Sequence, residues 1–319
     1  MELTMDVSTT REAQQVYANR EELIERIARA IRADGATEPL DGVRLRRASA
    51  PTDLGHGVSF PSFCVIAQGS KELLLGNKRY RYDPTHYLIS TATLPIATRV
   101  VHASPERPYL GLVVRLDPVL VGSVMIEAGY VAARSHATTT AIDVSSLDAG
   151  LLDAVVRLVR LIDSPSDARI LAPLIMREIV YRLLTGAQGG RLQHIAGLGG
   201  PTHRIIQAIE RLRHGFDRPL RIEAMARELG MSVSAFHHYF RALTALSPLQ
   251  FQKHLRLQEA RRLMLSEGLD AASAGYRVGY RNAAHFSREY KRLFGAPPMR
   301  DIERLREGRM EPEVGQGVE

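Results

Sequence analysis

Cysteine is almost missing from this chain of 319 residues: Cys64 stands alone. A single thiol excludes an internal disulfide framework and is the usage expected of a protein kept in a reducing cytoplasm. Its neighbours in "FCVIAQG" are apolar, so Cys64 reads as buried packing and not as a nucleophile. Long apolar runs are missing too, since none approaches the ~18–20 residues that span a bilayer. The opening "MELTMDVSTTREAQ" has acids where a secretory leader needs a basic and then an apolar stretch. No leader and no membrane partner are therefore expected. Catalytic constellations are equally scarce. His56, His86, His102 and His136 each stand alone, without the tight His-x-His pair and nearby Glu of a barrel metal site. No Ser-His-Asp set or carboxylate pair can be singled out. The expectation is no metal, no cofactor and no catalytic residue.

What the chain does have is an uneven charge. Residues 201–300 hold 17 Lys/Arg against 8 Asp/Glu, residues 1–200 hold 22 against 21, and residues 301–319 hold 3 against 6. A basic block on an otherwise neutral chain points to a polyanionic partner for that block. Charge alone does not separate DNA from RNA or an acidic membrane.

Hydrophobic periodicity divides the rest. Val16, Leu23, Ile24, Ile27 and Ile31 have helical spacing, so residues 1–40 read as an amphipathic helical segment. From 41 to 120 short β-rich runs are punctuated by Gly-Ser, Gly-Asn and Asp-Pro turns, which suggests a small antiparallel barrel or sandwich. Residues 121–186 return to helix and read as dimer-prone. There Ser164-Pro165 starts a helix, Gly186 ends it, and Ile170, Leu171, Leu174, Ile175, Ile179 and Leu183 form one apolar stripe. Residues 187–201 are rich in glycine and read as a linker with a short apolar element inside. Residues 202–301 read as all-helical, and 302–319 as an acidic tail without fixed structure.

Within the basic block one small unit is written twice. "LGMSVSAFHHYFRALTALSP" is answered fifty residues later by "VGYRNAAHFSREYKRLFGAPP". In each, a short helix stops at a glycine (Gly230, Gly279), and a capped second helix follows with Phe236, Phe240 and Leu243, or Phe286, Tyr290 and Leu293, on its inner face. That is a helix-turn-helix, over 220–243 and again over 270–294, whose second helix enters a DNA major groove. Between the copies, "SPLQFQKHLRLQEARRLMLSEG" predicts a helix of about 19 residues, roughly 29 Å long. One turn of B-DNA advances ~34 Å, so this spacer could hold two recognition helices in successive major grooves. The plain alternative is a helical bundle with basic faces.

Residues 201–301 resemble the double helix-turn-helix domain of the AraC/XylS transcription regulators. The motifs that carry the likeness are "LGMSVSAF", "SPLQFQKHLRLQEARRLML" and "RVGYRNAAHFSREYKRLFGAPP". Residues 43–185, with "PSFCVIAQGSKELLLGNKRYRYD" and "VVHASPERPYLGLVVRLDP", resemble the cupin-like N-terminal domain of one branch of that family. The fold implied is α+β and multidomain: a small antiparallel cupin-like β-barrel with flanking helices, then the all-α double helix-turn-helix domain. The resemblance implies base contacts from Ser234, His237 and His238 in the first recognition helix and from Ala283, Ala284, Ser287 and Arg288 in the second. Arg288 is the best candidate for a bidentate guanine contact. Arg241, Arg281, Asn282, Lys291 and Arg292 are assigned to phosphates, with Asn282 also capping its helix. The expected partners are an operator in double-stranded DNA, a small-molecule effector in the barrel whose binding residues are unknown, RNA polymerase if the protein activates, and a second copy through the N-terminal region. A filled barrel that only mediates protein contacts is the competing reading of the N-terminal domain. Two other classes stay open, a cupin-type enzyme tethered to DNA and an architectural DNA-binding protein. One departure stands out. The family usually has isoleucine-alanine where this chain has Ala274-Gly275, and Gly275 costs about 1 kcal/mol of helix propensity relative to Ala. The second unit is therefore expected to be the softer one.

Overall fold

The computed structural model describes residues 3–130, 140–196 and 200–307; His136 and residues 308–319 lie outside the described residues. The chain begins with α1 (Leu3–Ala30), which buries Leu23 and Ile27 at i and i+4, with Ile31 buried just past its end. β1 (Gly35–Leu40) follows, a strand inside the segment expected to be helical, paired with the next strand from Gly35 against Arg47. Then come β2 (Val43–Ala48), β3 (Gly55–Val58), β4 (Ser62–Gln68), β5 (Ser70–Leu75), β6 (Lys78–Tyr82), β7 (His86–Ser90), β8 (Pro95–His102) and β9 (Tyr109–Arg115). After α2 (Pro118–Glu127), β10 (Ile142–Ser146) is a second strand in a segment expected to be helical.

All pairings are antiparallel. They make a six-stranded sheet, β1-β2-β9-β4-β7-β10, and a four-stranded sheet, β3-β8-β5-β6. Period-2 alternation sorts the six-stranded sheet into two faces. Leu45, Phe63, Val65, Ile89, Leu112 and Val114 join a core with α1 and with α3 (Ala149–Arg160) and α4 (Pro165–Thr185). Ile66 and Leu88 face the other way, toward Leu73, Leu75, Tyr82 and Val100 of the second sheet. Cys64 shares that inward face. It packs against this cluster as expected but is only half-buried, on the wall of a cavity between the sheets.

Helix α4 starts on Pro165 and is followed by Gly186 as expected, but its apolar stripe is split. Ile175, Ile179 and Leu183 are buried, whereas Ile170 (69%), Leu171 (42%) and Leu174 (58%) are exposed. At 100° per residue, positions 170 and 174 point away from 175, 179 and 183, while 171 lies at the boundary beside 175. The glycine-rich segment contains α5 (Gly189–Ile195), whose buried Leu192 and Ile195 pack into the core with α2 and α4. Two apolar residues at i, i+3 hold this short helix, at the apolar element expected inside the glycine-rich linker.

The remainder is helical: α6 (Gly200–His214), α7 (Ile222–Glu228), α8 (Val233–Thr244), α9 (Pro248–Ser266), α10 (Ala271–Arg277), α11 (Ala283–Phe294) and α12 (Pro298–Glu307). Residues 302–307, expected in the acidic tail, are the last turns of α12, and Ile302 is fully buried. The helical half sits directly on the β half. Phe236, Phe240, Leu246 and Phe251 share one core cluster with Leu73, Leu75 and Tyr82. Ala141 N donates to Leu243 O (3.0 Å), Gln258 Nε2 donates to Gly57 O (2.8 Å), and the rings of His56 and Phe294 meet edge-on at 4.9 Å. Burial, with Arg261 adding, lowers His56 to about 4, so this ring is neutral at the interface.

Candidate nucleic-acid interface

The first recognition helix is α8. Ser232 caps it, its Oγ accepting from Ala235 N at 3.2 Å, and Gly230 ends the preceding helix with φ +63°. Phe236, Phe240 and Leu243 are buried, each such side chain contributing about 1.5–3 kcal/mol of burial. That stripe fixes which side of α8 is left outside. Ser234, His238 and Arg241 are exposed at i, i+4 and i+7, and His237 is half-buried beside Phe236.

The second recognition helix, α11, repeats the wheel fifty residues on. Asn282 Oδ1 accepts from His285 N at 2.8 Å, so this carboxamide oxygen serves the cap and leaves only its NH₂ for a phosphate. Phe286, Tyr290 and Phe294 are buried. Ala284, Arg288 and Lys291 are exposed at the positions of Ser234, His238 and Arg241, while Ala283 and Ser287 are half-buried. Arg281 is exposed at the turn. Arg292 is exposed but donates to Glu289 (2.9 Å), which also pairs with Lys253 of α9 (2.9 Å). Burial opposes ionisation of Glu289, yet Lys253 and Arg292 hold it below the ordinary carboxylate range. Arg292 is thus partly spoken for within the protein, unlike the bare outward positions of Arg288 and Lys291.

Helix α9 is the predicted spacer. It begins with a full capping box, Gln250 N to Ser247 Oγ and Ser247 N to Gln250 Oε1, and its 19 residues correspond to roughly 29 Å. Phe251 meets Phe240 of α8 with ring centroids 5.4 Å apart. Toward the second unit, Arg261 grips Asp301 through two bonds of 2.8 and 2.9 Å, and Tyr290 Oη donates to the same carboxylate at 2.8 Å. Asp301 is fully buried, and the Arg261 guanidinium lies over the Phe294 ring at 4.5 Å. Burial, then the charge of Asp301, pushes the Tyr290 phenol above its ordinary range. This triad ties α9, α11 and α12 together. Nothing in the sequence pattern marked it, because its members are 29 and 11 residues from one another across three helices. The nearest signal was an acid at the first turn of a helix beginning Pro297-Pro298.

Gly275 has a packing reason in the second unit. A Cβ there would lie 2.9 Å from Phe286 Cγ, so glycine is what lets α10 approach α11. Gly279 at φ +89° is likewise required, since its Cβ would lie 2.1 Å from Asp217 O. The turn closes as in the first unit: Met231 N donates to Ala226 O and Tyr280 N to Gly275 O, both at 2.9 Å.

The β half contributes a cavity of 1320 Å³ between its sheets. Leu73, Leu88, Ile96 and Val113 line it with Arg46, Lys71, Tyr82 and Tyr109, and its rim reaches Leu265, Leu305 and Arg306 of the helical half. The side chains of the described residues of the two sheets leave this space between them. Among the described residues no three His, Cys, Asp or Glu side chains converge as metal ligands, and no helix is long and apolar enough to cross a membrane.

Comparison with known proteins agrees with this architecture. The AraC-type transcriptional regulator N-terminus matches residues 39–191, and a helix-turn-helix domain matches residues 225–304. The chain belongs to the AraC-type transcriptional regulators. It is 34% identical over 100 residues to the HTH-type transcriptional regulator GlxA of Rhizobium meliloti, covering 31% of each chain. It is 27% identical over 159 residues to the HTH-type transcriptional activator RhaS of Escherichia coli, covering 50% of this chain and 56% of that one. The matches thus span from about a third to just over half the length of these relatives. ToxT from Vibrio cholerae, crystallised with an unsaturated fatty acid, superposes with a TM-score of 0.52 at 10% identity over 82% of this chain and 94% of its own. At that identity the likeness is one of fold.

Proposed function

We propose that the protein is a sequence-specific DNA-binding transcription regulator that lays α8 and α11 in successive major grooves on one face of the duplex. The observation that carries this is the pair of equivalent outward faces, Ser234/His238/Arg241 and Ala284/Arg288/Lys291, held by one capped helix of 19 residues. Ser234, His237, His238, Ala283, Ala284, Ser287 and Arg288 meet base edges in this reading. Arg241, Arg281, Lys291, Arg292 and the Asn282 NH₂ meet phosphates. A small-molecule effector occupies the cavity between the sheets. Its rim residues Leu305 and Arg306 lie on α12, so occupancy is felt by the helix that locks α11. A second copy joins through α4, where Ile170, Leu174 and Tyr181 form an exposed apolar face. The regulator acts on cytoplasmic DNA, chiefly as an activator that engages RNA polymerase, and carries out no catalytic step.

The test is selection of bound DNA from a random pool with the full chain. Two boxes with centres ~10 base pairs apart are expected. Inserting about five base pairs between them should abolish joint occupancy, because half a turn puts the second box on the opposite face. A single box, or indifference to the insertion, refutes the bipartite geometry.

A further inference from the structure

The two helix-turn-helix units meet at a joint that the spacer helix does not make alone. The link from α6 to α7 (residues 215–221) lies between them. Among the described residues, Phe216 of this link is the one partly buried apolar side chain that packs against the core of each unit. The stop turn of the second unit comes against the same link, since a Cβ on Gly279 would lie 2.1 Å from Asp217 O. A half-buried arginine of α9 spans the two segments. Arg256 Nε donates to Phe216 O (2.6 Å), and Nη2 donates to Asp217 O (3.1 Å) and Arg218 O (3.0 Å). Its Nη1 donates to Gly279 O (3.3 Å), and the guanidinium lies 5.9 Å from the centroid of the Tyr280 ring. Gln252, one turn earlier, donates to Phe216 O (3.0 Å) and Arg218 O (2.7 Å), so these bonds stay on the link. The first unit supplies the contrast. Its stop glycine also receives an arginine, Arg204 Nη1 to Gly230 O at 2.9 Å, but α6 packs in the same core as α8. That bond closes one unit, whereas the Arg256 fork joins two.

We infer that Arg256 is a positioning residue for operator binding: it fixes the angle between α8 and α11, and with it the separation at which two DNA boxes are read together. Helix α9 sets the distance between the units, and a rod by itself leaves each unit free to swing at its own end. A planar guanidinium with five donors holds the link and the turn at once, which the point charge of an ammonium does not. Binding to joined boxes exceeds binding to either alone only while the second unit is held where its box lies, and a loosened joint lowers that effective concentration. This rests on the bipartite reading of the DNA interface.

The test first reads geometry without DNA. In the full chain carrying Cys64→Ala, spin labels on Ser234→Cys and Ala284→Cys report the distance between the two outer faces by double electron–electron resonance. The distribution should be narrow, should broaden with Arg256→Met and with Arg256→Lys, and should not change with Arg204→Met. Operator affinity is then measured on unlabelled protein. Arg256→Met should bind either box alone within about twofold of the parent and lose about tenfold or more on the joined boxes. Should Arg256→Met lose its far-ultraviolet circular dichroism, Arg256→Lys carries the test, because it keeps the charge and the stem without the fork. A broad distribution in the parent, no change in the folded Arg256 variants, or equal broadening by Arg204→Met overturns the proposal. So does an equal loss on single and joined boxes, or full rescue by Arg256→Lys, which would make Arg256 a plain charge contact. A parent with a narrow distribution and no preference for joined boxes would count against the bipartite reading and leave the joint standing.

Discussion

The two helix-turn-helix units share a pattern and differ in what holds them. The first lays Phe236, Phe240 and Leu246 into a core continuous with the β-sandwich and is tied to it by the Ala141–Leu243 bond. The second has a core of its own, Phe286, Tyr290, Phe294 and Ile302, closed by the buried Arg261–Asp301–Tyr290 triad. The first unit is therefore anchored by the β half, and the second chiefly by the spacer helix and α12, with only His56 of the β half against Phe294 among the ring contacts of the described residues. Their faces differ as well. α8 offers two histidines and an arginine outward, whereas α11 offers alanines, Arg288 and Lys291. Duplication preserved the inward stripe, which folding requires, and left the outward face and the anchorage free to diverge.

The largest expected effect breaks the second anchor. Asp301→Ala leaves the Arg261 guanidinium buried without its carboxylate, which should cost about 3–5 kcal/mol in urea unfolding. Protection of the second DNA box should vanish in footprints while the first box persists. If both boxes fade together, the two units are not anchored independently.

Gly275→Ala comes next and tests a sign. Propensity alone promises a gain of about 1 kcal/mol. The contact at 2.9 Å with Phe286 predicts instead a loss of about 1–3 kcal/mol from overpacking. Counting back from each stop glycine, the equivalent residue of the first unit is Ala226, which is buried and accommodated. A stabilised Gly275→Ala protein would mean that α10 can move off α11 at no cost.

Arg288→Ala should cost about 1–3 kcal/mol of operator affinity, confined to one base pair of the second box. Its exposed side chain supports no core, so the melting temperature should hold. An even loss over a panel of single-base operator variants would move Arg288 from reading bases to holding phosphate. Arg241→Ala and Lys291→Ala should have the smallest and least selective effects. Each should lower affinity for every sequence alike and reduce the salt slope by about one. A change in base preference from either would make that position a reader.

Much of the helical half was legible because its signals are local. Glycine stops, Ser232, Asn282 and Ser247 caps and apolar residues at 3.6 spacing each act within one or two turns, so α7 to α11 fall where the pattern predicts them. In the β half the short alternating runs predicted an antiparallel structure, but not β1 and β10. These edge strands have weak alternation of their own and exist because β2 and β7 offer them unpaired backbone.

By itself, then, the amino-acid order determined the repeated unit, the length of its spacer, the inward stripes and, through them, which side chains of α8 and α11 face out. The tertiary structure alone decided the rest. It split the stripe of α4 into a buried and an exposed face and brought Gly275 into a close contact. It also assembled Arg261, Asp301 and Tyr290 into one buried network and brought Arg46 and Lys71 to opposite walls of one cavity. The physical reason is range. Caps and periodicity act between residues a few positions apart, whereas a close approach, a buried ion pair or a cavity exists only once segments remote in sequence have packed, and no local pattern records which remote segment will arrive.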